Sequence, residues 1–384
     1  YFDYEIRLAE RLLLAHKARP HPPDLHFRDL FKALFQADSQ QDEAWVDGPQ
    51  LAVALAMNRG FTVISGGPGT GKTTSILQLI RCAKQINPDA RICLAAPTGK
   101  AATRMIEALQ NAAERIAPAL SLELPAESFT IHRLLGIRAG SERLTFHRGN
   151  PLPVDLLIVD EASMLDLALA VQLVEAVPDT ASMVFIGDKD QLAAVEAGAV
   201  FSELSDNPVL SPACVKHLSL VTGFAESKIL AAPVSETEGL CDHAVWLRKS
   251  YRFKDNAALG ELVQWVNQGK ADSVIDLLRS GEDSRLVWIE DDGPVLGPRS
   301  RQSLRVGLSP YMARLKANEL RPEILFEELD RHKILCAERQ GPRGVIAIND
   351  FVCEMMRRSS EGNRAIRELL LSRSGTGNWF SGQA

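Results

Sequence analysis

No two cysteines stand in C-x-x-C spacing. The six present, Cys82, Cys93, Cys214, Cys241, Cys336 and Cys353, are scattered along the chain. That argues against a zinc knot and a disulfide framework, and it fits a reducing compartment. No apolar run approaches the length of a bilayer span. The opening Tyr1-Phe-Asp-Tyr4 has no secretory-signal pattern, so a cytoplasmic location is expected. An initiator Met is also missing, and the natural start is expected upstream of Tyr1. There is no surplus of positive charge: the net charge is −6. The total does not advertise a nucleic-acid binder, although affinity follows local patches rather than the sum. Internal repeats and low-complexity tracts are absent as well. What remains is 384 residues with 46% hydrophobic and 24% charged content, enough for two or three globular domains.

Against that plain background one stretch stands out. Gly66-x-x-x-x-Gly71-Lys72-Thr73 is a complete phosphate-binding loop. The apolar, β-branched run Phe61-Thr-Val-Ile64 before it predicts a buried strand. The spacing of Ile76, Leu77, Leu79 and Ile80 after it predicts a helix from Thr74 to Gln85. Glycines let the backbone curl so that its N–H groups face phosphate oxygens, and a helix N-terminus adds positive partial charge. Lys72 can reach the β- and γ-phosphates, and the Thr73 hydroxyl can ligate Mg²⁺.

The other elements follow in alternation. Two short helices are predicted over 3–17 and 25–37, separated by Pro20, Pro22 and Pro23, and another from Asp47 to Asn58. Strands are expected at 91–96, 154–161, 181–187 and 243–247, and a helix from Ala101 to Ile116. This is an α/β pattern with a parallel sheet. In such sheets ligands gather at the carboxyl ends of strands. Those ends carry Thr98 and Lys100, the acids Asp160 and Glu161, the run Asp188-Lys-Asp-Gln191, and Arg252. One acid of a strand-end pair can hold Mg²⁺ while the next takes a proton from water. Thr130 to Gly136 predicts a helical turn, and 143–148 a strand of a small hairpin. Four arginines, Arg133, Arg138, Arg143 and Arg148, crowd this region, either as a solvated face or as a nucleic-acid surface. Residues 206–243 read as a long connection. Beyond them helices are expected at 257–267, 271–279, 309–319 and 322–330, with a loop over 293–308. Strands are expected at 286–289 and 332–337, the latter opening a second sheet, with a helix to about Arg358.

Taken in order, Gly66-Gly-Pro-Gly-Thr-Gly-Lys-Thr-Thr74, Ala96-Pro-Thr-Gly-Lys-Ala-Ala102, Thr130-Ile-His-Arg-Leu-Leu-Gly136, Val159-Asp-Glu-Ala-Ser163, Ile186-Gly-Asp-Lys-Asp-Gln191 and Ser250-Tyr-Arg-Phe253 resemble the successive motifs of superfamily 1 DNA helicases. The set is similar to the 5′→3′ RecD branch. Cys336-Ala-Glu-Arg-Gln-Gly-Pro-Arg-Gly-Val345 with Ile348-Asn349 is similar to the alpha subunits of exodeoxyribonuclease V. The likeness is strong over 48–253 and moderate over 330–384.

This resemblance implies a P-loop RecA-like fold with a small helical N-terminal region (1–45), a first motor domain (46–253) and an incomplete second RecA-like domain (254–384). It implies ATP and Mg²⁺ as ligands. Gly66, Gly67, Pro68, Gly69, Thr70, Gly71, Lys72, Thr73 and Thr74 would bind the phosphates, and Gln50 would read adenine. Thr73 and Asp160 would hold the metal. Glu161 would activate water, Gln191 would sense the γ-phosphate and Arg252 would stabilise the transferred phosphoryl. Thr98, Lys100 and His132 would lie near single-stranded DNA. Phe129, Phe146 and Trp246 read either as base-stacking residues or as core. The implied activity is an ATP-dependent 5′→3′ DNA helicase, the motor of a recombinational-repair helicase–nuclease, with beta and gamma subunits as partners. A stand-alone helicase and a nucleotide-dependent switch protein are the alternatives. Two further family motifs do not occur before Ala384, so this stretch alone is expected to hydrolyse ATP weakly.

Overall fold

The computed structural model describes residues 1–16, 25–36, 48–116, 124–137, 143–191, 199–206, 208–229, 240–253, 257–291, 293–317, 319 and 321–359. The chain forms two compact units, Tyr1–Gln268 and Gly269–Ala384.

The first unit is built on six strands: β1 (Phe61–Gly66), β2 (Ile92–Ala96), β3 (Phe129–Thr130), β4 (Leu156–Val159), β5 (Ser182–Gly187) and β6 (Ala244–Leu247). Their order in the sheet is β3-β2-β4-β5-β1-β6, and each pairing is parallel. Val63 pairs with Phe185 on one side and Ala244 on the other, which fixes β1 between β5 and β6. Every residue of β1 and β4 is buried. A strand covered on both faces needs a mainly apolar run rather than alternation; β4 is wholly apolar, and β1 departs from that only at Thr62, Ser65 and the loop-entering Gly66.

The helices of this unit are α1 (Phe2–His16), α2 (Leu25–Gln36), α3 (Gly48–Asn58), α4 (Lys72–Ile86), α5 (Gly99–Ile116), α6 (Ile131–Leu135), α7 (Leu167–Ala176), α8 (Val200–Ser205), α9 (Pro212–Thr222), α10 (Glu226–Ile229) and α11 (Ala257–Asn267), the last with no buried residue. One core joins α2, α3, α4, α5 and α9 to the sheet face that carries Ile64, Leu94, Ile158 and Ile186. The other joins α1 and α7 to the opposite face, with Val63, Leu157, Val159 and Phe185. The fold is an α/β P-loop, RecA-like sheet. Leu8 and Leu12 of α1 and Phe31, Leu34 and Phe35 of α2 are buried in these two cores, so the N-terminal helices pack with the sheet. Among the described residues no helix is long and apolar enough to cross a membrane.

Residues 206–243 are not simply a connection. Ser211 caps α9 through a hydrogen bond from the Cys214 N–H, Pro212 opens the helix and Gly223 closes it. At the amino end of the sheet, Arg59 and Asp242 form a buried ion pair at 2.8 Å, with side chains only 11% and 7% exposed. The Asp242 carboxylate also accepts from the Ser211 N–H and hydroxyl. This ties the α3–β1 turn, the start of α9 and the start of β6 together.

The second unit is helical among its described residues: α12 (Ala271–Ser280), α13 (Pro298–Lys316), α14 (Pro322–Asp330) and α15 (Val345–Ser359). Leu308, Tyr311, Met312 and Leu315 of α13 pack with Ile348, Val352 and Met356 of α15. The loop expected over 293–308 is largely helix. Pro310 lies inside α13 and removes the N–H that would bond the Val306 carbonyl; the Ser309 hydroxyl donates to that carbonyl instead, at 2.7 Å. The strands expected at 286–289 and 332–337 do not form, and no strand of a second sheet occurs among the described residues. An extended segment becomes a strand only when a neighbour pairs its N–H and C=O groups.

Candidate functional site

The phosphate loop leaves β1 at Gly66 and enters α4 at Lys72. Two of its glycines are required by shape. Gly69 has φ +74°, and a Cβ there would stand 2.3 Å from the Arg252 Cβ. Gly71 has φ +98°, and its Cβ would stand 2.7 Å from the Pro49 ring. Left-handed backbone disfavours any side chain, and these contacts leave no room for one. The Thr70 hydroxyl donates to the Gly67 carbonyl at 2.8 Å, closing the turn. The Lys72 ammonium donates to the carbonyl of Gly66 at 2.5 Å. Thr73 and Thr74 occupy the first turn of α4, half-buried. Gln50 lies in α3 beside the Pro49 that packs on Gly71.

A strap from the end of β6 crosses this loop. The Ser250 hydroxyl donates to the Pro68 carbonyl at 3.0 Å, and the Tyr251 N–H donates to the Gly69 carbonyl at 2.8 Å. Arg252 thereby stands against the loop with its side chain exposed. Neither bond was foreseeable from the motif, because strap and loop are separated by 182 residues at the Ser250–Pro68 contact.

β4, β5 and β1 are neighbours, so their carboxyl ends share one edge. β4 ends at Asp160 and Glu161. Asp160 accepts from the Glu161 N–H at 2.9 Å. Glu161 holds a left-handed backbone at φ +52°, uncommon for a residue with a side chain and a form of strain that gathers at functional sites. Burial lifts the Asp160 carboxyl to about 6; the Glu161 N–H and the charge of Lys72 pull it down, and the neighbouring Glu161 charge pushes it up. β5 ends at Asp188, which is buried and receives the N–H of Asp190. Its carboxylate lies 3.9 Å from where a Gly67 Cβ would be. Gln191 is exposed, and its N–H donates to the Asp188 carbonyl.

Thr98 and Lys100 follow β2, and His132 follows β3, the adjacent strand. Thr98 is an N-cap: its hydroxyl accepts from the Ala101 N–H at 3.2 Å. Lys100 and His132 are exposed. The expected strand at 143–148 is not formed; a single antiparallel bridge, His147 to Asn150, marks a tight turn instead. Arg133 pairs with Glu127 and lies over the Phe129 ring. Arg138 lies outside the described residues. Phe146 packs, partly buried, on the second core.

A family model for the AAA domain matches residues 49–197. The RecBCD enzyme subunit RecD of Mycobacterium tuberculosis is 37% identical over 312 residues, covering 79% of this chain and 48% of that protein. The ATP-dependent RecD2 DNA helicase of Deinococcus radiodurans is 40% identical over 138 residues, covering 36% of this chain and 17% of that protein. This chain is RecD-like, similar to RecD subunits over most of its length. It spans about half the length of the curated relatives it matches first. A crystal structure of Bacteroides sp Pif1 with ADP-AlF4 aligns with 74% of this chain and 56% of its own, at 19% identity and a TM-score of 0.33.

Within the RecD-like chain the AAA match runs from the helix before the phosphate loop through Gln191, and leaves the Arg252 strap outside. The motifs Asp160-Glu161 and Asp188 to Gln191 meet the loop because a parallel sheet collects strand ends. Two roles at the RecD-like site escaped the sequence: Asp188 as a buried acid and Ser250 as a loop anchor. Both stand in the motifs quoted above, Asp188 at a strand end and Ser250 at the head of Ser250-Tyr-Arg-Phe253.

Proposed function

We propose that this RecD-like chain is the ATP-hydrolysing part of a DNA motor that moves 5′ to 3′ along single-stranded DNA. In the intact protein it works with the beta and gamma subunits of an exodeoxyribonuclease V. One observation carries the reading: the phosphate loop, the acids Asp160 and Glu161, and the Arg252 strap meet on one sheet edge, close enough that the charge of Lys72 acts on Asp160.

The residues suit a magnesium ion. A hydroxyl and a carboxylate are hard oxygen donors, and Asp160 is a half-buried acid whose desolvation its neighbours only partly offset. Thr73 and Asp160 would hold the metal, which supplies positive charge against the phosphoryl oxygens. The loop N–H groups of Gly67 to Thr74 cradle the phosphates, and Gln50 reads the base. Lys72 leaves its carbonyl partners to meet the triphosphate. Glu161 takes a proton from the attacking water. Arg252 stabilises charge on the transferred group, and Gln191 reports its presence. Thr98, Lys100 and His132 line the DNA side of the first motor domain (46–253). Residues 254–384 open the second.

The test uses the full-length protein. Lys72→Ala should lower ATP turnover stimulated by single-stranded DNA by at least ~100-fold. Translocation on single DNA molecules should stop. Undiminished turnover in that variant, or wild-type hydrolysis without movement, rejects the motor; the latter favours a nucleotide switch.

A further inference from the structure

Trp246 has no part in the reading above, yet it touches two segments that frame Gln191. Its indole N–H donates to the Ser205 carbonyl at 2.6 Å, at the end of α8. The Lys189 ammonium stands 5.0 Å from its ring centroid, and the Arg248 guanidinium 5.4 Å. Lys189 also pairs with Asp190 at 2.7 Å, and its N–H donates to the Ser65 hydroxyl of β1 at 3.1 Å. The ring therefore meets the stretch from Asp188 to Ser205 near its beginning and at its end. A second tie runs alongside: His243 Nε2 bonds the Leu204 carbonyl at 2.8 Å.

The other end of the connection is the strap. β6 carries Trp246 and runs on to Ser250 and Tyr251, which bond the carbonyls of Pro68 and Gly69. One short piece of chain thus holds the phosphate loop at its far end and the Gln191 stretch through its tryptophan. Backbone of this kind transmits displacement: if the loop shifts, the strap shifts, and the ring carries Lys189 and Ser205 with it. Such a coupling has physical content only when a defined element is biased by both ends.

We propose that Trp246 is a positioning residue that couples the phosphate loop to the Gln191 stretch. It touches no reacting atom. The proposal rests on the motor reading. Cation–π contacts to a half-buried indole, joined to a hydrogen bond, are strong enough to set such a register.

The experiment measures ATP hydrolysis by the full-length protein with and without single-stranded DNA, together with tryptophan emission on adding nucleotide. In Trp246→Leu, KM for ATP and DNA-free turnover should stay within about twofold while DNA-stimulated kcat falls about tenfold, the effect of losing both contacts. Trp246→Phe, which keeps a ring without its N–H, and Lys189→Met, which keeps the indole without that cation, should each fall about threefold. A nucleotide-dependent emission change in the wild type should vanish in Trp246→Phe. Full stimulation in Trp246→Leu overturns the proposal. So does a joint loss of KM, basal turnover and melting temperature in Trp246→Leu with normal kinetics in the other two variants, since that marks packing alone. A wild type that DNA does not stimulate refutes the motor reading instead, and the emission change then decides whether Trp246 senses the loop.

Discussion

Gly69→Ala is the sharpest probe of how the nucleotide loop is held. The residue sits at φ +74°, where an alanine costs about 1–2 kcal/mol. Its new Cβ would stand 2.3 Å from the Arg252 Cβ and 3.1 Å from the Arg252 backbone nitrogen. Backbone cannot rotate away as a flexible side-chain tip can, so the strap must lift. Lifting it breaks the Tyr251 N–H bond to Gly69 and the Ser250 hydroxyl bond to Pro68. Each contributes about 0.5–1.5 kcal/mol. Together the formed loop loses roughly 2–5 kcal/mol, a weakening of nucleotide binding of roughly 30- to several-thousand-fold. Titration of the full-length protein with a fluorescent ATP analogue reads this directly. Gly223→Ala is the control: it has φ +81° but nothing within 4 Å of the added Cβ. It should lower stability by about 1 kcal/mol and leave nucleotide affinity alone. An affinity in Gly69→Ala within threefold of wild type would show that the strap does not hold the loop.

Two further expectations concern charge. Burial holds a proton on Asp160 up to about pH 6, against 3.8 for the ordinary group. In metal-free protein this group's contribution favours the fold below 3.8 and is lost as pH rises through 6; Asp160→Asn should flatten that part of a urea-midpoint profile. Magnesium must displace the same proton, so apparent magnesium affinity should fall below pH 6 in the wild type, as isothermal titration would show. Asp242→Ala leaves Arg59 buried without its partner and should remove about 3–5 kcal/mol from unfolding of the first unit. Urea melts followed by circular dichroism measure it, and a loss under 1 kcal/mol would mean that water already screens the pair.

The parts of the fold readable in sequence were those whose signal is local. β4 is an unbroken apolar run, β1 is one broken by Thr62 and Ser65, and α4 and α5 carry apolar residues at helical spacing. α9 escaped because its polar residues, Lys216, His217 and Ser219, interrupt the stripe, although Ser211-Pro212 and Gly223 bracket it with caps. β3 is two residues long, too short for any periodicity. The first half of α13 reads as loop because the stretch from Gly293 is rich in glycine, proline and serine; the Ser309 hydroxyl, which meets the carbonyl left by Pro310, cannot be inferred from composition. The strands expected at 286–289 and 332–337 show the converse. Their residues favour extension, and Leu335 is 93% exposed, but no neighbouring strand pairs them among the described residues. At the site, chemistry-bearing residues were legible because they sit at strand ends. Their mutual support was not, since Ser250 meets Pro68 and Trp246 meets Lys189 only after the sheet has closed.

The Arg59–Asp242–Ser211 knot has a mechanical corollary. It pins β1 and β6 at the rim opposite the phosphate loop. At the opposite rim the same two strands run out into the phosphate loop and the strap, which the Ser250 and Tyr251 hydrogen bonds join without a buried ion pair among the described residues. A sheet clamped along one margin flexes like a reed: small disturbances at the loose margin sweep its tips without shearing its root.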